Sequence, residues 1–311
     1  MRNCLIIDKM HESIVPLLKE IGVEPDYRPK ITISEVEQII GNYEGLILRS
    51  KLKLSRALLE KGERLRYVAR AGAGVDQIDE DYLAQRNITL LNAPEGNRDA
   101  VGEHTLGMLL CLFNRLNLAD LEVRAGKWRR EENRGHEIKG KIIGIVGYGN
   151  MGNAFAKRLQ GFECEVLAYD KFKEGYGNEF AKEVSLEELQ QKADVISFHI
   201  PLNQHNKYLV SDAYLKGFKK SIYIINLARG EVIPLSVLVS GIKSGKIIGA
   251  GLDVLENEKL DTLTPQQSED FQFLTKQEKV LFSPHVGGWT FESYVRLNEV
   301  LVDKIHDLHN N

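Results

Sequence analysis

Short apolar runs alternate along the chain with longer stretches in which apolar residues recur every three or four positions. Residues 3–8 (NCLIID), 45–48 (GLIL) and 66–70 (RYVAR) read as buried strands, while 11–21, 34–41 and 54–61 carry helical periodicity. This β-α-β-α order predicts a mostly parallel sheet covered by helices. A glycine-rich turn, Ala71-Gly72-Ala73-Gly74, follows the third strand. From Asp99 to Ala125, the spacing of Val101, Leu106, Leu109, Leu110, Phe113 and Leu116 predicts one long helix bridging two domains. A second β-α-β series opens with strand 141–146 (KIIGIV), runs through strands near 165–169, 194–198, 222–226 and 247–252, and ends near 280–282 (VLF). About six strands in this order make a doubly wound sheet. The polar segment Glu256 to Lys279, which contains Pro265, is expected to be a loop with one helical turn. A final helix is expected over Phe291–Leu308.

Composition narrows the classes. The 311 residues fit two domains, and 43% apolar with 27% charged residues excludes collagenous, low-complexity and disordered chains. Lys plus Arg total 41 against 44 for Asp plus Glu, so the net charge of −3 offers no general field for nucleic acid or an anionic membrane. Cys4, Cys111 and Cys164 are widely spaced and form no CxxC pair, which argues against a disulfide framework and a zinc site. A reducing cytoplasm is the expected compartment, and no metal is expected. The longest apolar stretch, around Leu106 to Phe113, is far short of the roughly 18 residues of a membrane span, and no hydrophobic signal region opens the chain.

Gly147-Tyr148-Gly149-Asn150-Met151-Gly152 matches G-x-G-x-x-G between strand 141–146 and a helical segment, Ala154 to Gln160. In that context the first glycine makes the tight turn, the second lets the backbone approach a pyrophosphate, and the third lets helix and strand pack closely. Asp170, at the end of the next strand, is placed to accept hydrogen bonds from an adenosine ribose. Its carboxylate would repel a 2′-phosphate and so favours NAD over NADP, a preference that Lys171 and Lys173 soften. Some 140 residues precede this motif, so the first α/β series forms a separate domain. The expected fold is therefore α/β, with two parallel-sheet domains that are Rossmann-like or flavodoxin-like. With the final helix returning to the first domain, that domain is discontinuous: residues 1–98 plus 288–311, against 99–287 for the dinucleotide-binding domain, with the active site between the lobes.

Three polar positions lie just beyond predicted strands, at the sheet edge where ligands bind: Arg229 in Asn226-Leu227-Ala228-Arg229-Gly230, Glu258 after Gly251-Leu252-Asp253-Val254, and His285 in Pro284-His285-Val286-Gly287-Gly288. Oxidation of a hydroxyl by NAD needs a base for its proton, a cation for the carboxylate and carbonyl oxygen, and a group that orients the base. Histidine, arginine and glutamate supply these, with Glu256 as the alternative carboxylate. His104 reads as part of the interdomain helix, and His11, His306 and His309 as surface residues.

Taken together, these motifs resemble the D-2-hydroxyacid dehydrogenase family, and within it most resemble the short phosphoglycerate dehydrogenases. The likeness covers essentially the whole chain, through Arg70-Ala71-Gly72-Ala73-Gly74-Val75-Asp76, Asn92-Ala93-Pro94-Glu95-Gly96-Asn97, Gly126-Lys127-Trp128, the glycine motif, His199-Ile200-Pro201-Leu202, and the Arg229, Asp253 and His285 motifs. The resemblance implies His285 as acid/base, Glu258 as its partner and Arg229 as the holder of the substrate carboxylate, with backbone amides near Ala73 and Gly74 on the same carboxylate. It implies that Asp253 meets the nicotinamide carboxamide and that His199, Pro201, Ala228 and Gly287 complete the cofactor contacts. Lys259 stands where the family has proline, Pro234-Leu235 replace the common Asp-Glu, and the 256–280 segment is longer than usual.

Arg49, Arg70 and Arg130 match positions where phosphoglycerate dehydrogenases carry arginines, and guanidinium groups suit phosphate. The implied reaction is NAD-dependent oxidation of 3-phosphoglycerate to 3-phosphohydroxypyruvate, a step of serine biosynthesis. A glyoxylate or hydroxypyruvate reductase shares every catalytic residue and is the alternative enzyme. A non-enzymatic NAD-sensing scaffold is the alternative outside enzymes, disfavoured by the compact chain. The apolar helix near 100–120 and Gly126-Lys127-Trp128 lie where the family forms a homodimer, and no serine-binding regulatory extension is expected.

Overall fold

A computed structural model describes residues 2–310. Their contacts form two compact units, one of residues up to Arg98 together with those from Trp289, the other Asp99–Gly288. In the first unit, strands β1 (Arg2–Ile6), β2 (Val23–Tyr27), β3 (Gly45–Leu48), β4 (Tyr67–Arg70) and β5 (Thr89–Asn92) form a parallel sheet in the order β2-β1-β3-β4-β5, a flavodoxin-like arrangement. Continuous apolar runs suit strands buried on both faces. Their alternation sends Leu5, Ile7, Leu46, Leu48 and Val68 into one core, and Cys4, Ile6, Ile47, Tyr67 and Ala69 into another.

The second unit holds β6 (Ile142–Val146), β7 (Glu165–Tyr169), β8 (Lys182–Glu183), β9 (Val195–Phe198), β10 (Ile222–Asn226), β11 (Ile247–Leu252) and β12 (Val280–Phe282). All pair in parallel, in the order β12-β11-β10-β9-β6-β7-β8. This is the doubly wound Rossmann order, whose direction reverses between β6 and β9. At that point Val195 is in register with Ile143 on one side and Tyr223 on the other.

Several expectations change. The edge strands β2 and β5 add to those expected from the sequence: β2 carries Pro25, which an edge strand tolerates because one side of it needs no ladder donor. The single helix over 99–125 is two, Pro94–Phe113 and Leu116–Arg124, separated by Arg115 in the left-handed region at φ 52°. The His136 N–H caps the Phe113 carbonyl at 2.9 Å, satisfying an acceptor that a continuous helix would have used. The segment expected as a loop with one turn contains a three-turn helix, Pro265–Thr275. Pro265 occupies its first turn, and Thr264 with Gln267 closes a capping box.

The final helix, Phe291–Asn310, buries Leu297, Leu301, Val302 and Ile305 against Ile6, Ile14, Leu18 and Ile47 of the first unit. It therefore contributes to that unit's core from the far end of the chain. Leu301 is fully buried, whereas Glu299 of the same helix is exposed. Leu301→Ala is expected to lower stability by about 2–5 kcal/mol, and Glu299→Ala by no more than about 0.5 kcal/mol, in urea unfolding. Equal losses in the two variants would contradict the packing described.

Candidate active site

β6 ends at Val146, and the chain reverses at Gly147, whose φ of 92° favours glycine. A Cβ there would meet the His199 carbonyl oxygen at 2.5 Å. Gly149 caps the helix Asn150–Arg158, and nothing stands within 4 Å of where its Cβ would be. Asn150, Met151 and Gly152 form the first turn of that helix. The helix N-terminus and the open space before Gly149 suit an anionic pyrophosphate.

Asp170 follows β7 and knits this loop together. Its Oδ2 accepts the Tyr148 N–H at 2.9 Å and its Oδ1 the Phe172 N–H at 3.0 Å. Lys173 Nζ donates to the Tyr148 carbonyl at 3.0 Å, while the Lys171 ammonium lies 5.6 Å over the Phe172 ring. The Tyr148 side chain is buried, donating to Asn178 Oδ1 at 2.8 Å, so this residue offers the loop its main chain only. A cavity of about 410 Å³ is lined by Gly147, Gly149, Asp170, Phe172, His199 and Pro201 among others. The His199 ring bonds to Ser197 Oγ at 2.8 Å, and burial pushes its imidazole down to about 3, which keeps it neutral. An apolar cavity beside a glycine turn, with a carboxylate at the end of the second strand, fits an NAD adenosine and pyrophosphate.

The second cluster gathers beyond the neighbouring strands β10, β11 and β12. Buried Asn226 shapes the turn of Arg229: its Oδ1 accepts the Ala228 N–H at 3.0 Å, and its Nδ2 donates to the Arg229 carbonyl at 2.9 Å. Arg229 Nη1 donates to the Ala228 carbonyl at 2.7 Å. His285 has φ 55°, and its Nδ1 stands 2.9 Å from Glu258 Oε1 and 3.1 Å from Oε2. The hydrogen bond to Glu258 holds the imidazole above its usual value, against partial desolvation by the surrounding protein and the Arg229 charge, which pull it down. Glu256, the alternative carboxylate, is instead engaged at the start of the helix Leu235–Lys243, where its Oε2 accepts the Leu235 N–H at 2.9 Å.

Asp253 is almost wholly buried. Its Oδ1 accepts Ser283 Oγ at 2.5 Å and the Val286 N–H at 2.9 Å, and its Oδ2 accepts the Gly287 N–H at 2.8 Å. The sequence gives no role to Ser283, nor to Asn226 beyond its place in the Arg229 motif. His104 reads in the sequence as part of its helix alone, yet its Nε2 lies 3.0 Å from Ser283 Oγ. No spacing signal in the sequence links these positions, because the juxtaposition arises from strand order.

In the first unit, Arg70 Nε and Gln77 Nε2 both donate to the Arg49 carbonyl, at 2.9 and 2.8 Å. The Arg49 guanidinium lies 4.1 Å over Trp289 and 5.3 Å over Tyr294. The Ala73 carbonyl accepts Asn92 Nδ2 at 2.7 Å, with Gly74 next in the same turn. Arg130 belongs to the second unit, in an exposed stretch after the helix Leu116–Arg124. Among the described residues no cluster of His, Cys, Asp and Glu could hold a metal ion, and no helix is long and apolar enough to cross a membrane.

Residues 106–287 match the family of D-isomer specific 2-hydroxyacid dehydrogenase NAD-binding domains. The chain is 30% identical to D-3-phosphoglycerate dehydrogenase of Archaeoglobus fulgidus over 303 residues, 97% of this chain but only 56% of that protein. It therefore spans little more than half the length of that relative. It is 31% identical to hydroxypyruvate reductase of Thermotoga maritima over 96% of this chain and 94% of that protein. Among solved structures it is similar to a D-lactate dehydrogenase from Aquifex aeolicus complexed with NAD and lactic acid, with 25% identity and a TM-score of 0.83 over 99% of this chain and 96% of that one.

The two loop glycines make separable predictions. Gly149→Ala is expected to change stability by about 1 kcal/mol or less yet weaken NADH binding at least about tenfold, because its methyl enters open space facing the ligand. Gly147→Ala should cost more than about 1–2 kcal/mol of stability, from its backbone angle and the His199 carbonyl. Calorimetric titration with NADH and thermal melts check both; unaltered binding in Gly149→Ala would remove this loop from the cofactor site.

Proposed function

The chain belongs to the D-isomer specific 2-hydroxyacid dehydrogenase family, and from that premise we propose that it interconverts D-2-hydroxy acids and 2-keto acids with NAD. The observation that carries this reading is the His285–Glu258 pair, held beside the Arg229 turn at the carboxyl edge of a doubly wound sheet. When bound, the nicotinamide supplies the acceptor for the hydrogen and electron pair of the C2–H bond. His285 Nε2 takes the hydroxyl proton as the C2–O bond becomes a carbonyl, and its imidazolium returns a proton in the reverse direction. Glu258 accepts from Nδ1, fixing the tautomer and favouring the charged ring. Arg229 holds the substrate carboxylate and polarises the reacting oxygen.

For the distal end of the substrate we propose a phosphate, making 3-phosphoglycerate and 3-phosphohydroxypyruvate the preferred pair. Arg49, fixed over Trp289, and Arg70 beside it support this reading. The second reading, reduction of unphosphorylated hydroxypyruvate, is favoured by the Thermotoga maritima relative, which matches along 94% of its own length. We also propose that the chain works as a homodimer. In the helix Leu116–Arg124, Leu121 and Val123 are more than half exposed, and Trp128 in the stretch after it is 78% exposed, an apolar surface that a second copy would cover.

A panel of D- and L-hydroxy acids and their keto acids, followed by NADH absorbance, tests the function. His285→Ala is expected to lose about 10²–10⁴-fold in kcat while binding NADH normally. Arg49→Ala should raise KM for the phosphorylated substrate roughly 10–100-fold, with little effect on hydroxypyruvate. Equal kcat/KM for the two substrates in the native enzyme would favour the second reading. Light scattering should give about twice the chain mass of 35.2 kDa; a mass of one chain would contradict the dimer.

A further inference from the structure

We propose that His104 and Ser283 are positioning residues of this reaction, a side-chain relay that fixes Asp253 and, through it, the turn that carries His285. The proposal rests on the acid/base role given to His285 above. The hydrogen-bond directions follow from the chemistry of each group. The Asp253 carboxylate only accepts, so the single proton of Ser283 Oγ points to Asp253 Oδ1 at 2.5 Å. The serine oxygen is left with lone pairs, and among the described residues the donor that reaches it is the His104 ring, 3.0 Å away. His104 is therefore protonated on Nε2, and its ring stands 3.8 Å from Asp253 Oδ1.

Downstream of this relay, the bonds made by the Asp253 carboxylate and carbonyl go to residues 283–287, while its N–H is held by the Asn226 carbonyl at 3.0 Å. Asp253 takes the Ser283 hydroxyl and the Val286 and Gly287 amides on its carboxylate, and the His285 N–H on its own carbonyl at 2.8 Å. His285 sits inside that bracket at φ 55°, in the left-handed region that residues other than glycine adopt uncommonly. The relay thus reaches from a helix, through a serine at the end of β12, to the backbone of the proposed acid/base. His104 and Ser283 touch neither the reacting imidazole nor Glu258, so their effect is on the placement of His285.

Two pairs of variants test this. Ser283→Ala and His104→Phe remove the relay, whereas Ser283→Thr keeps the hydroxyl and His104→Gln keeps a donor. The first pair is expected to lose on the order of 10- to 100-fold in kcat with KM for the acid changed less than threefold, and the second pair to recover most of it. In the cofactor-free protein, the His285 titration followed by NMR should move toward the ordinary histidine value in the first pair only. Glu258, Arg229 and Asp253 are the charged groups that set this titration, and all three remain in every variant. An unmoved titration in Ser283→Ala and His104→Phe, or equal losses in all four variants, would overturn the relay and leave only packing. Should either of the first pair fail to fold, the other carries the test. A native enzyme that turns over no hydroxy acid would refute the proposed reaction, while the NMR comparison would still decide the relay.

Discussion

The turn that carries His285 has little packing of its own: Pro284 and His285 are exposed, and order comes from donors that converge on Asp253. A buried carboxylate costs several kcal/mol unless hydrogen bonds replace its lost hydration, and a turn with a left-handed histidine is unfavourable unless something holds it. Each requirement meets the other. Asp253 is solvated by the amides of 286 and 287 and the Ser283 hydroxyl, and the same bonds fix the backbone that aims the imidazole at Glu258. The position of the proposed acid/base therefore depends on one buried charge being satisfied.

Strand order explains why residues far apart in sequence can do this. Ser283 follows β12, Asp253 follows β11, Asn226 ends β10, and Gly147 follows β6. In the sheet order β12-β11-β10-β9-β6 the carboxyl ends of these strands lie along one edge, spaced by about 4.8 Å per strand. The glycine turn and the histidine turn thus stand at the same edge of one sheet. His199, following β9, lines the cavity beside the glycine turn, and it is kept neutral by burial.

Much of this is legible in the sequence. Apolar runs located the central strands, because buried parallel strands show continuous hydrophobicity, and the glycine motif gained its meaning from the strand before it and the aspartate after it. The edge strand β2, with its proline and polar residues, lacked that signal. The break at Arg115 was hidden because apolar periodicity continues past it, and the helix Pro265–Thr275 because its exposed face is polar and its proline reads as a breaker when it marks a start. Glu256 and Glu258 differ by two positions and share a residue type; only the observed geometry puts one at a helix start and the other against His285. The association of His104 with Ser283 spans 179 residues and follows from the fold alone.

In the proposed reaction His285, held above its usual pKa by Glu258, moves the substrate proton. The most direct test is the pH dependence of kcat/KM in both directions for the native enzyme and Glu258→Gln. Oxidation needs the neutral ring and falls as pH drops through the His285 pKa; reduction needs the charged ring and falls as pH rises through it. Removing the carboxylate lowers that pKa, so both limbs should shift to lower pH together. Limbs that stay in place in Glu258→Gln, or that move in opposite directions, would contradict the account.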